Sequence, residues 1–386
     1  MTGDPGVGAA AALPGTESHP QARMILSAAL AGDASHAYLF HGPSGVGKRT
    51  AARAFAAELL AAGSPDPAGA RHRVLDGAHP DLTWVRPTGA HVMRTEDVAA
   101  PVVAAAARTP FESLKRVFVL ERVDTMNDEV ANRLLKTLEE PPAYVHLILL
   151  TDSLGLVLPT VISRCQLVRF DPLPAARIAA DLVAAGVPAE LAGACARLAL
   201  GNGARARFLA SEEGEALTAD VDRLVATALG GPGSAPEPWR GLLDRADERR
   251  AVAEDRVADE AKQRLESEPK GRERGALEKQ FEDASKREGR RARTEVLDMG
   301  LTLAALRFRD LLCLAEGAEG AALDAAGARA LLAGRDEDAA DLDPRRLREA
   351  AERCEEARMS LQLNVTEELA LEALGFRLAD LVGTSV

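Results

Sequence analysis

Short apolar runs alternate with amphipathic stretches along the first part of the chain. Ala37–Phe40, Leu82–Val85, Arg116–Leu120, Val145–Leu150 and Leu167–Phe170 are such runs, bounded by polar or turn-forming residues. Continuous apolar runs of this length are the pattern of strands buried on both faces. Between them, helices are predicted over His19–Leu30, from Lys48 through Leu60, over Glu96–Ala107 and over Asp128–Glu139, the last stopped by Pro141-Pro142. Residues 62–80 are rich in Gly, Pro and Ala and read as a loop. Strands alternating with helices predict an α/β domain with a parallel sheet.

After Pro174 the strand signals stop. Residues 175–229 read as a small helical domain, and Gly230-Gly231-Pro232-Gly233-Ser234 as a linker. From Arg240 to about Arg293 charges dominate with little apolar periodicity, which predicts a long solvated helix or partial disorder. Amphipathic helices return from Glu295 and close with Leu361–Leu381. Leu361, Leu363, Leu369, Leu374 and Leu378 form more apolar surface there than a lone hairpin can bury, so these helices are expected to carry oligomerisation. The expected division is 1–173 for the α/β domain, 174–230 for a helical lid and 231–386 for a helical C-terminal domain with a charged insertion at about 236–293.

Composition narrows the picture. A chain of 386 residues is too long for one ordinary domain. Aromatics are 3%, so the cores must be built from Ala, Leu and Val. The net charge of −12 argues against a free-standing DNA-binding protein, which needs a basic surface. Lys286, Arg287, Arg290, Arg291 and Arg293 form one basic cluster, read as a solvated helix face with DNA contact as the alternative. Cys165, Cys195, Cys313 and Cys354 fit neither a zinc site nor a disulfide framework. No signal-peptide pattern and no membrane-length apolar run is present, so a cytoplasmic protein is expected.

The strongest chemical signal is Gly42-Pro43-Ser44-Gly45-Val46-Gly47-Lys48, set between a strand and a helix. Glycines let the backbone wrap a phosphate, the helix N-terminus adds positive potential, and the lysine reaches the terminal phosphates. The next position should supply a hydroxyl to Mg²⁺. Here it is Arg49, with Thr50 one place late, and a guanidinium cannot ligate a cation. A second signal is the strand ending in Glu121-Arg122. An active P-loop ATPase ends this strand in two acids, one for Mg²⁺ and one to activate water. Glu121 can stand for the first, but Arg122 cannot accept a proton. The alternative is that Asp124 does this work from the following turn.

The third signal is Leu134-Leu135-Lys136-Thr137-Leu138-Glu139-Glu140-Pro141-Pro142, followed by a strand and then Ser163-Arg164-Cys165. This pair closely resembles the clamp-loader ATPases of bacterial DNA polymerase III. His36-Ala37-Tyr38-Leu39-Phe40-His41, His79-Pro80-Asp81-Leu82 and Leu363–Glu372 resemble the same family. The resemblance is strong over 19–172, fair over 175–215 and 295–382, and absent over 236–285. It implies a RecA-like P-loop (AAA+) domain, a helical lid and an all-helical collar. It also implies a hetero-pentamer with delta and gamma/tau subunits, a sliding clamp (beta) and primed DNA as partners, and no membrane. In that family the arginine of S-R-C reaches a neighbour's γ-phosphate; here that residue is Arg164. Arg205 falls at the family's second sensor position or is an ordinary helix arginine. The four-cysteine zinc module common after the P-loop helix is missing, and His72 and His79 are too few for a site, so no zinc is expected. Arg49 and Arg122 favour a non-hydrolysing, stator-like member, with ATP or ADP binding doubtful. The alternative is a gamma/tau-type motor ATPase, which an ATPase assay would reveal, and a third is a scaffold outside replication, in which Arg164 would be dispensable.

Overall fold

A computed structural model describes residues 13–32, 34–87, 93–231, 236–266, 271–333, 339–361 and 365–383. The leader before residue 13, residues 232–235 of the linker, and Leu363 and Asn364 lie outside the described residues. The chain divides into two compact units. One comprises 1–174 with 200–204, the other 175–199 with 205–386.

The first unit is a five-stranded sheet. Its strands are β1 (Ala37–His41), β2 (Leu82–Val85), β3 (Arg116–Leu120), β4 (Val145–Thr151) and β5 (Gln166–Arg169). Their order is β2-β3-β4-β1-β5 and every pairing is parallel. Side chains alternate across the pleat. Tyr38, Phe40, Val117, Val119, Ile148 and Leu150 face one core with helices α1 (Pro20–Ala31) and α2 (Lys48–Ala61). Leu39, Phe118, Leu120, Leu147 and Leu149 face the other core. Both faces are covered, which is why the central strands read as unbroken apolar runs.

The segment expected as a loop contains helix α3 (Pro67–Leu75). Asp66 caps it, its carboxylate accepting from the Gly69 N–H at 2.9 Å, and Pro67 supplies the first helical position. The helix expected over 96–107 is broken. A single turn, α4 (Thr95–Val98), passes into a π-helical turn over Ala99–Ala104 that contains Pro101, which has no N–H to donate. Helix α5 (Asp128–Glu139) follows the predicted bounds, capped by the Asn127 side chain on the Val130 N–H at 3.0 Å. The short α6 (Pro159–Ile162) leads into β5.

The second unit is all helical: α7 (Ala175–Ala184), α8 (Ala189–Leu198), α9 (Gly203–Leu209, which straddles the division), α10 (Glu212–Leu229), α11 (Arg240–Glu266), α12 (Arg272–Ala315), α13 (Ala325–Leu332), α14 (Pro344–Ser360) and α15 (Glu367–Val382). The charged region expected as one solvated helix or partial disorder is an antiparallel hairpin of α11 and the N-terminal half of α12. Arg256 pairs with Glu288, and Arg293 with Asp247. Gly289 lets Glu254 pack against its backbone. The C-terminal half of α12 buries Leu297, Leu301, Phe308 and Leu311. Arg307, also buried, is held by Asp222 at 2.7 Å and Asp324 at 2.6 Å. The C-terminal leucines do not form one exposed stripe: Leu361, Leu374 and Leu378 are buried, while Leu369 is exposed. The closing helix begins at Glu367, with Leu361 just beyond the end of α14.

Candidate functional site

The glycine loop leaves the C-terminal end of β1 and turns into α2. Gly42, Gly45 and Gly47 all have positive φ. A side chain at Gly42 would collide with the Phe170 carbonyl, so only glycine lets the loop pass beneath β5. The segment before α1 lies across this loop, with the His19 ring against the Val46 carbonyl at 2.8 Å.

Lys48 is buried at the start of α2. Its ammonium donates to the Gly42 carbonyl, to the Pro43 carbonyl at 2.5 Å and to the Asp152 carboxylate at 2.7 Å. Burial lowers its pKa, a shift that the Asp152 and Asp124 charges oppose. Asp124 lies beside the carboxyl end of β4. One of its oxygens accepts from the Thr151 hydroxyl at 2.9 Å. Sequence reasoning missed Asp152 and discounted Asp124. The signal for Asp152 was Thr151-Asp152-Ser153 closing an apolar strand, since ligand sites in parallel sheets gather at the carboxyl ends of the strands.

Arg49, which stands where a hydroxyl belongs, meets Glu121, the acid that could stand for a metal carboxylate. The Arg49 guanidinium lies 2.5 Å from Oε2 of Glu121, which is 2% exposed against 53% for Arg49. The other oxygen, Oε1, accepts from the indole N–H of Trp84 at 2.6 Å and from Nε of Arg86 at 3.2 Å. This guanidinium neutralises the carboxylate that a divalent cation would need. Thr50 is exposed. Arg122 takes a left-handed conformation (φ 55°) and leads a 3₁₀ turn over Val123–Thr125. The donors present do not suit Mg²⁺: no hydroxyl stands at position 49, Glu121 is already paired, and the residue after it is a cation.

Arg164 lies at the opposite end of the strands from the glycine loop. β1 and β5 are parallel neighbours, with Tyr38 beside Gln166 and His41 beside Arg169. The glycine loop follows the C-terminal end of β1, and Arg164 precedes the N-terminal end of β5. A strand of this length separates the two by roughly 15 Å at about 3.3 Å per residue. The guanidinium of Arg164 is 34% exposed. It donates to the Thr160 carbonyl at 2.9 Å, to the Ser163 hydroxyl at 3.2 Å and to Glu139 at 2.5 Å.

The remaining expected residues fall elsewhere. Arg205 is in the second unit, where burial lowers its pKa and the charge of Asp298 counters that shift. Within the basic cluster, Lys286 pairs with Glu282 at 2.6 Å, Arg291 with Glu295 at 2.9 Å, and Arg293 with Asp247 and Glu367. His72 and His79 are apart in function: His72 pairs with Asp76 on the surface of α3, while His79 is buried beside Asp81. Among the described residues no group of three or more His, Cys, Asp or Glu is placed to hold a metal.

A parallel sheet in this order, a glycine loop after β1 and an acid at the end of β3 define a P-loop domain of the AAA+ class. Residues 18–174 match the family model described as DNA polymerase III, delta subunit. The delta prime subunit of DNA polymerase III from Pseudomonas aeruginosa is 36% identical over 169 residues, covering 42% of this chain and 51% of that protein. The delta prime subunit from Bacillus subtilis is 35% identical over 162 residues, covering 41% and 49%. The tau subunit from Bacillus subtilis is 33% identical over 143 residues, covering 36% and 24%. The chain thus spans about half the length of the delta prime relatives it matches. Its first unit is similar to the clamp-loader subunits of DNA polymerase III, and to the delta prime type among them.

Proposed function

We propose that this chain is a stator-like subunit of a DNA polymerase III clamp loader, silent as an ATPase, that lends Arg164 to the nucleotide site of an adjoining subunit. The observation that carries this is the pairing of Arg49 with Glu121, together with a partly exposed arginine at the far end of the strands from the glycine loop. Pairing closes the chain's own metal position. Distance keeps Arg164 from its own glycine loop, so any nucleotide it serves belongs to another chain. Phosphoryl transfer spreads negative charge over the γ-phosphoryl oxygens, and a positioned guanidinium stabilises that charge. The motor reading requires Arg49 and Arg122 to do what a hydroxyl and a carboxylate do, and it is the weaker one.

In this reading the assembly is a hetero-pentamer with delta and gamma/tau subunits, acting on the beta clamp and primed DNA in the cytoplasm. Residues 174–230 serve as lid and 231–386 as collar. No zinc is bound. Among the described residues no helix is long and apolar enough to cross a membrane.

The test compares steady-state ATP hydrolysis by reconstituted complexes carrying wild-type or Arg164→Ala chain, with clamp and primed DNA present. The variant should assemble normally and hydrolyse more slowly. An arginine of this kind contributes about 10³–10⁵ at the site it serves. The whole complex should lose a smaller share, because its other sites carry their own arginines. Arg164→Lys should rescue poorly, for lack of the planar fork. Equal hydrolysis and equal clamp loading would remove the assignment.

A further inference from the structure

Two sequence motifs, each of which pointed to the same family, meet in a single contact. Glu139 is the last residue of α5, in the Leu-Glu-Glu-Pro-Pro stretch, and Arg164 is the middle residue of Ser-Arg-Cys. They are 25 residues apart in sequence, and Nη2 of Arg164 lies 2.5 Å from Oε1 of Glu139. We infer that Glu139 is a positioning residue for Arg164. It holds the guanidinium plane by accepting from Nη2. This rests on the reading that Arg164 acts on another chain's nucleotide.

The geometry supports a clamp rather than a passing surface pair. Arg164 is gripped along both terminal nitrogens. Nη1 is spent on the Thr160 carbonyl and the Ser163 hydroxyl, and Nη2 on Glu139. Both walls are fixed. Thr160 and Ser163 belong to α6 and the residue that caps it, and α6 packs on α5. Glu139 ends a helix that cannot continue, because Pro141-Pro142 follow. An unanchored arginine loses rotamer freedom when a partner fixes it. An arginine already held loses less, which is the energetic advantage of preorganisation. Glu139 is 47% exposed, so its carboxylate keeps much of its hydration. Its charge therefore cancels little of the positive potential that Arg164 projects.

The experiment uses the reconstituted complex with clamp and primed DNA, comparing wild-type chain, Glu139→Ala, Glu139→Gln, Arg164→Ala and the double variant Glu139→Ala/Arg164→Ala. Glu139→Ala should lower turnover at the site Arg164 serves about two- to fivefold, the range of an exposed ion pair, so the whole complex slows by less than with Arg164→Ala, with KM for ATP and assembly unchanged. Glu139→Gln keeps an acceptor oxygen and should recover most of that loss. The double variant should be no slower than Arg164→Ala alone, because a positioning residue has nothing left to position. If Arg164→Ala slows the complex while Glu139→Ala leaves it unchanged, speeds it, or adds its full effect in the double variant, Glu139 is no positioning residue and the proposed role of Arg164 still stands. If Arg164→Ala has no effect, the role of Arg164 falls and this inference with it.

Discussion

Replacing Arg49 with threonine puts back the hydroxyl that the glycine loop lacks and removes the cation now paired with Glu121. The cost to stability follows from burial. Breaking a fully buried pair costs about 3–5 kcal/mol, and an exposed pair is worth about 0–1 kcal/mol. Glu121 is buried, but Arg49 is half exposed, and Trp84 and Arg86 continue to hold the carboxylate. Arg49→Thr should therefore cost about 1–2 kcal/mol. The indole of Trp84 donates to this same carboxylate, so urea unfolding followed by its fluorescence, in a Trp239→Phe background, reads the change directly. Binding of a fluorescent ATP analogue completes the test. Wild-type chain should bind it no better with Mg²⁺ than without, whereas Arg49→Thr should gain at least about tenfold, or 1.4 kcal/mol, when Mg²⁺ is present. Neither should hydrolyse it, since Arg122 still follows Glu121. Tight Mg²⁺-dependent binding by the wild-type chain would refute the idea that the Arg49–Glu121 pair closes the site.

Two further outcomes are expected. Asp81 is buried and accepts from the backbone N–H groups of Phe111, Glu112 and Ser113 at 2.5, 2.9 and 2.9 Å. Burial alone would raise its pKa, but these donors and His79 bring it below the usual carboxylate range. Its contribution is then fully present above the ordinary value near pH 4 and is lost as pH falls below it. Asp81→Asn should cost about 1–3 kcal/mol at pH 7, and the gap from wild type should narrow by pH 3 in urea titrations; a constant gap would contradict this. On α15, Leu369 and Ala373 share an exposed face with Phe376. Leu369→Lys/Ala373→Lys should keep the chain folded by circular dichroism but prevent its co-elution with the other clamp-loader subunits; normal co-elution would show that assembly does not use this face.

The sheet was legible because its central strands β1, β3 and β4 are apolar runs buried on both faces, and burial of that kind leaves a continuous signal. The glycine loop was legible because backbone conformation dictates its residues. Helix α3 was hidden by the reading of Gly, Pro and Ala as loop formers, although Asp66 followed by Pro67 is a start signal. The interruption at Pro101 was also readable in principle. The C-terminal leucines were misgrouped by count rather than angle. Positions 369 and 374 are five residues apart, about 140° around a helix at 100° per residue, so they cannot share a face. What sequence could not supply was the pairing of distant charges. Arg49 reads as a lost ligand and Glu121 as a surviving one, and only the fold reveals that they neutralise each other. Likewise, Glu139 and Arg164 carry separate motifs until α5 and α6 pack together.

The α11–α12 hairpin has a topological consequence. Arg293 and Asp247 face each other across its base, and everything from 248 to 292 lies beyond that point in the chain. In α11 the buried side chains before this level are Leu242, Leu243 and Ala246, and in α12 those after it begin at Val296. Beyond it, Val257 alone of the α11 residues is buried. The entry and exit of this arm are therefore neighbours, so its length is free to vary without altering the register of the helices below. A short turn could replace the arm, and a longer coiled arm could extend it by about 1.5 Å for each residue added to both helices. The base is constrained by packing, whereas the reach is set by chain length alone.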